Sequence, residues 1–154
     1  MAAGPWIIYG LAKEAMLEGV IGPLNQSGTP RFRIALVTSS YTPSVNADDT
    51  WSDVSTNEVA NGNGYVTHGQ LLAMTCTHAA GTVTVDSTTD GSWTTSTITA
   101  KYAVVVQDAD ANGALAAGDR LVGYCDLNDG GGSVSTTNGT FAVNFHASGM
   151  FTLA

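Results

Sequence analysis

Charge is scarce in this chain. Only 12% of its 154 residues are charged, about half the usual share for a soluble protein. Lys and Arg number 5 against 13 Asp and Glu, for a formal net charge of -8. So few cations cannot hold a phosphate backbone, so no nucleic-acid partner is expected. An anionic membrane surface is disfavoured for the same reason, and no apolar run reaches the roughly 20 residues of a membrane-spanning helix. The N-terminal stretch is not expected to be a secretion signal, because Lys13, Glu14 and Glu18 interrupt it and no basic region precedes it. Cysteine is nearly lacking: Cys76 and Cys125 are too few for a disulfide scaffold and match no metal spacing, so reduced, buried thiols are expected. Glu, Lys and Gln are sparse, which leaves little material for helices.

What is present favours strands. Gly, Ser and Thr make up about a third of the chain, and Val is frequent. Hydrophobic residues are 44%, enough for one core and no disorder throughout. The expected fold is mainly β, an antiparallel β-sandwich of jelly-roll or immunoglobulin-like type with an N-terminal helical arm.

Residues 5–21 carry the one helical pattern. Pro5 suits a first turn, and Ile8, Leu11, Ala12, Ala15, Met16 and Gly19 recur at helical spacing. Gly22-Pro23 is the expected stop. Such a helix is marginal alone, so it docks either on its own sheet or on a neighbouring subunit. The expected division is a helical arm over 1–30 and a β-sandwich domain over 31–154. Strands are expected at 32–39, 69–78, 81–87, 92–99, 101–107, 120–127, 139–146 and 149–153, with turns at Asp90-Gly91 and Ser148-Gly149. Residues 40–66 form a long irregular connection, with a helical turn at 51–54. A connection of that length is either functional or packed against a partner.

The best local motif is Asp108-Ala-Asp110-Ala-Asn112-Gly113 followed by Asp119. Positions 1, 3, 5, 6 and 12 of a calcium loop call for these residue types, because carboxylate and amide oxygens suit a hard cation. Side chains of Asp108, Asp110, Asn112 and Asp119 and the Ala114 carbonyl are the expected ligands of a structural calcium. Against it, the twelfth residue is Asp rather than bidentate Glu, and the flanks read as strands. A polar hairpin loop rich in turn residues fits the same sequence. No other cofactor is expected. His68, His78 and His146 lack zinc spacing, no nucleophile elbow occurs, and no Gly-Lys-Ser/Thr follows Gly62-Asn-Gly64. No catalytic residues and no enzyme activity are expected.

The order of segments resembles a recurrent class of small structural proteins of tailed bacteriophages. The matching pieces begin with Tyr9-Gly-Leu-Ala-Lys-Glu-Ala15, Arg33-Ile-Ala-Leu-Val-Thr38 and Tyr41-Thr-Pro43. Asp48-Asp-Thr-Trp-Ser-Asp-Val54, Asn57-Glu-Val59, Gly64-Tyr65 and Gly69 follow. The C-terminal half matches through Ala100-Lys-Tyr-Ala-Val-Val-Val106, Leu121-Val-Gly-Tyr124, Gly139-Thr-Phe141 and Ser148-Gly-Met-Phe-Thr-Leu153. The resemblance implies a virion component, most simply a capsid decoration or cement protein. Such a protein is assembled in the host cytoplasm, often as a homotrimer, and bridges major capsid subunits on the head surface. Alternatives are a tail, neck or baseplate component, or a carbohydrate-binding adhesin module using Trp93. The Asp108–Asp119 segment is not part of that resemblance. Cementing requires buried area rather than a reactive centre. The expected partner contacts are Trp6, Ile7, Tyr9, Leu11, Tyr41 and Trp51, and removal of residues 1–24 is expected to leave a folded sandwich.

Overall fold

Two six-residue runs rich in aliphatic residues, Phe32–Val37 and Tyr102–Gln107, pair antiparallel over their whole length and form the centre of the molecule. Apart from half-buried Tyr102, every residue of both runs is buried, so each strand must be covered on both faces. A computed structural model describes residues 3–25 and 31–154. In chain order the elements are β1 (Trp6–Ile8), α1 (Gly10–Leu17), β2 (Phe32–Val37), β3 (Gln70–Leu72), β4 (Met74–Ala79), β5 (Thr82–Ser87) and β6 (Gly91–Ser96). Then follow β7 (Thr99–Ala100), β8 (Tyr102–Gln107), β9 (Leu121–Asp126), β10 (Val134–Ser135), β11 (Gly139–Val143) and β12 (Phe151–Leu153). The fold is mainly β, with antiparallel sheets and one N-terminal helix, as the composition implied.

The main sheet has the order β1-β9-β8-β2-β3. Three smaller ladders accompany it: β12-β5-β4, β11-β6 and β10-β7. One face of the main sheet, bearing Ile34, meets β6, where the Ile34 methyl and the Trp93 ring crowd Gly91. The other face presents Tyr102 and Tyr124. There Tyr41 packs edge-on against Tyr102, Tyr102 against Tyr124, and Tyr9 tilts against Tyr124. Residues 40–66 are a packed strap pinned by buried Tyr41, Trp51, Val54 and Tyr65. Tyr41 lies on this face, residues 57–59 bond the end of β2, and Tyr65 packs against Trp93 on the other side. A 3-10 turn at Trp51–Asp53 occupies the expected helical turn, closed by a capping box between Thr50 and Asp53.

Several expectations are corrected. Residues 5–21 are not one helix. Trp6-Ile7-Ile8 is an aromatic and β-branched run that lies along the β9 edge, with Trp6 opposite Cys125 and Ile8 opposite Gly123. The helix starts only after extended Tyr9 and ends at Gly19, φ 73°. There the Val20 and Gly19 amides bond the Ala15 and Met16 carbonyls, a Schellman closure reached before Gly22-Pro23. Because β1 is an edge strand of the main sheet, residues 3–25 lie against the rest of the fold; the boundary set between residues 30 and 31 adjoins residues outside those described. The expected strand 69–78 is two strands broken at Ala73, since β3 pairs with β2 while β4 pairs with β5. Gly69, φ 60°, admits β3 alongside β2: a side chain there would fall on the Ile34 carbonyl. Asp90-Gly91 lies between β5 and β6 as expected, but it links two ladders rather than closing a hairpin. The tight hairpin is Ala80-Gly81, both with positive φ, between paired Ala79 and Thr82.

Candidate functional site

The β8–β9 connection carries the calcium-like motif. Asp108 follows β8 and is fully buried. Its Oδ2 accepts the Gly113 N–H at 3.1 Å and lies 3.9 Å from Arg33 Nη1. Its Oδ1 is buried and has no hydrogen-bond partner. Asp110 accepts the Asn112 amide group at 2.7 Å, and Asn112 Oδ1 accepts the Ala114 N–H at 2.8 Å. Buried Asp119 accepts the Ala109 N–H at 3.2 Å and the Ala116 N–H at 2.8 Å. Burial raises the Asp108 carboxyl above its ordinary range; the Gly113 N–H opposes this, and the neighbouring Asp110 carboxyl adds to it. The loop thus brings all five expected ligand residues into one turn. Among the described residues, however, no three carboxylate, thiol or imidazole side chains converge as a ready-made metal cage.

The expected partner contacts divide. Ile7 is 37% exposed, and Trp6 and Leu11 are half-buried. Tyr9, Tyr41 and Trp51 are buried and serve as anchors of this chain's own core rather than exposed contact residues. Tyr41 donates to Asp48 Oδ2 at 2.6 Å, and the Tyr9 and Tyr41 hydroxyls lie 2.7 Å apart. The carboxylate can only accept, so Tyr41 donates to it and Tyr9 donates to Tyr41. Burial pushes both phenols well above their ordinary range. Trp51 is fixed through its backbone: its N–H donates to the Asp119 carbonyl at 2.7 Å, and the Ser52 N–H to the Ala117 carbonyl at 3.0 Å. Arg120 pairs with Asp49 across the same junction. The strap and the Asp108–Asp119 loop are therefore one mechanical unit.

A second buried network gathers around Glu58. Its Oε1 accepts the Tyr65 hydroxyl at 2.8 Å and the His68 N–H at 2.5 Å. Burial raises the Glu58 carboxyl, partly offset by these two donors. Arg33 donates to the His68 and Gly69 carbonyls. Lys101 donates to both oxygens of Asp126 and to the Asn128 and Gly131 carbonyls, closing the 127–131 turn. These groups hold loops. Among the described residues none of the three histidines hydrogen-bonds a hydroxyl or thiol side chain.

Two concavities flank β1. One, of about 640 Å³, is lined by Trp6, Ile7, Met16, Leu17, Val45, Phe151 and Leu153, with Lys13 and Thr152 among them. Leu17 is 90% and Leu153 58% exposed, so large apolar side chains on the rim lie open to solvent beside Lys13 and Thr152. Leu17 falls off the buried stripe of α1, and β12 reads as an ordinary terminal strand; only the fold brings them together. The other, of about 730 Å³, lies between β1 and β11, with Trp6 stacked on Phe145 at 5.1 Å. It includes Cys125, whose thiol burial pushes up to about 11. Trp93, the candidate sugar platform, is buried between Tyr65 and Phe141 and offers no exposed face.

No family model matches the chain, and neither the curated proteins nor the solved structures contain a significant match.

Proposed function

We propose that this protein is a virion structural component of a tailed bacteriophage, a decoration protein that stabilises the head by bridging major capsid subunits. Its working surface is the exposed apolar groove between β1, α1 and β12, and that groove is the observation that carries the reading. Exposed Ile7, Leu17 and Leu153 surround half-buried Trp6, Met16 and Phe151. Apolar side chains grouped in this way mark a contact surface more often than isolated ones do. Burying them against a shell subunit contributes roughly 25 cal/mol for each Å² of apolar area removed from water. The scarcity of charge, 12% of the chain, suits extended packing between subunits, and the order of sequence segments supports a virion role. Of the contact residues expected from the sequence, Trp6 and Ile7 line this groove, and Leu17 and Leu153 join them.

The test is location and number. Immunogold labelling and quantitative mass spectrometry of intact particles should place hundreds of copies on the head, arranged as trimers. A few to tens of copies on the tail or neck would replace this reading with the tail-component one. Absence from the particle would remove both.

A further inference from the structure

We propose that the loop from Asp108 to Asp119 is a calcium site that locks the strap bearing Trp51 onto the sheet. The inference is independent of the virion reading. It starts from Asp108, fully buried at the end of β8, with Oδ1 unpartnered. Leaving a buried carboxylate oxygen without a donor is costly, and a cation relieves that cost. The other oxygen of the same carboxylate accepts the Gly113 N–H, which fixes the side chain inside the turn and leaves Oδ1 for a ligand. Gly113 stands at the sixth position, with φ 89°, where a calcium loop needs glycine.

The remaining donors follow the same order. Asp110, Asn112 and the Ala114 carbonyl take positions three, five and seven, and Asp119 takes position twelve. Leu115 is buried and anchors the middle of the loop to the core. Asp108, Asp110 and Asp119 supply three negative charges, and Arg33 at 3.9 Å from Asp108 supplies one positive charge. The difference, two, matches a divalent ion. Oxygen ligands with no imidazole or thiol select a hard cation, and an irregular, carbonyl-containing set favours calcium over octahedral magnesium. The carboxylates do not yet form a cage. Asp119 completes it by turning from the Ala109 N–H, the longer of its two bonds. Because the Asp119 and Ala117 carbonyls hold Trp51 and Ser52, a metal at the loop fixes the strap as well.

The test uses the full chain. It is stripped with EDTA, then melted with calcium chloride, with magnesium chloride, and with neither. At about 10 mM calcium, roughly a hundredfold above a dissociation constant of about 0.1 mM, the melting temperature should rise by about 5–10 °C. Terbium luminescence, sensitised through Trp51, should report the same site, and calcium should displace it. Asp110→Asn alters an exposed side chain and keeps an acceptor for the Asn112 amide, so it should keep the metal-free melting temperature. Asn112→Ala removes the acceptor of the Ala114 N–H and should lower it slightly. Both should weaken terbium binding at least tenfold. No calcium-dependent shift, an equal shift with magnesium, or unchanged terbium affinity in both variants would each overturn the proposal.

Discussion

Replacing Tyr41 with Phe should cost far more than replacing Tyr9 with Phe, although both remove one hydroxyl from the same chain of bonds. In Tyr41→Phe the charge-assisted bond to Asp48 is lost, worth about 1.5–3 kcal/mol. The Tyr9 hydroxyl, on a fully buried residue, then has no acceptor, at a further cost of about 1–3 kcal/mol. Asp48 keeps the Ser44 N–H at 2.8 Å, so it adds little. The expected loss is about 2.5–6 kcal/mol. In Tyr9→Phe only the bond to Tyr41 goes, and Tyr41 still donates to Asp48, so the loss is about 1 kcal/mol. The double variant should be no less stable than Tyr41→Phe alone, because the orphaned hydroxyl is gone. Urea unfolding followed by tryptophan fluorescence measures all three. Equal losses in the single variants, or additive losses in the double one, would refute the donor order assigned here.

Three further outcomes follow from the structure. Deleting residues 1–24 should abolish cooperative unfolding rather than leave a folded sandwich. Burial of Ile8 and Ile21 alone is worth about 3–6 kcal/mol out of a typical total of 5–15, and a sharp thermal transition in the truncated chain would contradict this. The raised Glu58 carboxyl binds a proton in the native state that the unfolded chain releases, so stability falls as pH rises from its ordinary value of 4.5 through its raised native value. Glu58→Gln keeps an acceptor for Tyr65 and His68 and should flatten that fall; parallel urea midpoints across this range would count against the assignment. Cys125, buried with its thiol pushed up to about 11, should resist thiol-disulfide reagents until the chain unfolds, while half-buried Cys76 reacts first; equal labelling rates in native protein would be inconsistent with this.

The strand content and most strand positions could be read from the sequence because period-two patterns and turn residues are local signals. The run Ala103–Val106 is continuous and apolar, as two covered faces demand. The Trp6–Ile8 strand was hidden because its residues also fit a helical stripe, and only the unpaired edge of β9 decides between them. Tyr9, Tyr41 and Trp51 looked like contact residues because aromatic side chains serve cores and interfaces alike. Their burial depends on a strap whose course no local pattern sets. The Asp108–Asp119 loop was legible from spacing alone, since its ligand-like residues are close in sequence. The apolar groove was not, because it joins α1 to β12 across more than a hundred residues.

The account rests on the groove at β1, α1 and β12 being an adhesive surface. Leu17→Asp combined with Leu153→Asp changes two exposed side chains, so it should leave thermal stability within about 0.5 kcal/mol of wild type. The decisive measurement is the number of copies bound when each protein is added to phage heads assembled without it. Wild-type protein should saturate the heads and the double variant should remain in solution; equal occupancy by both, or no binding by the wild type, would contradict the account.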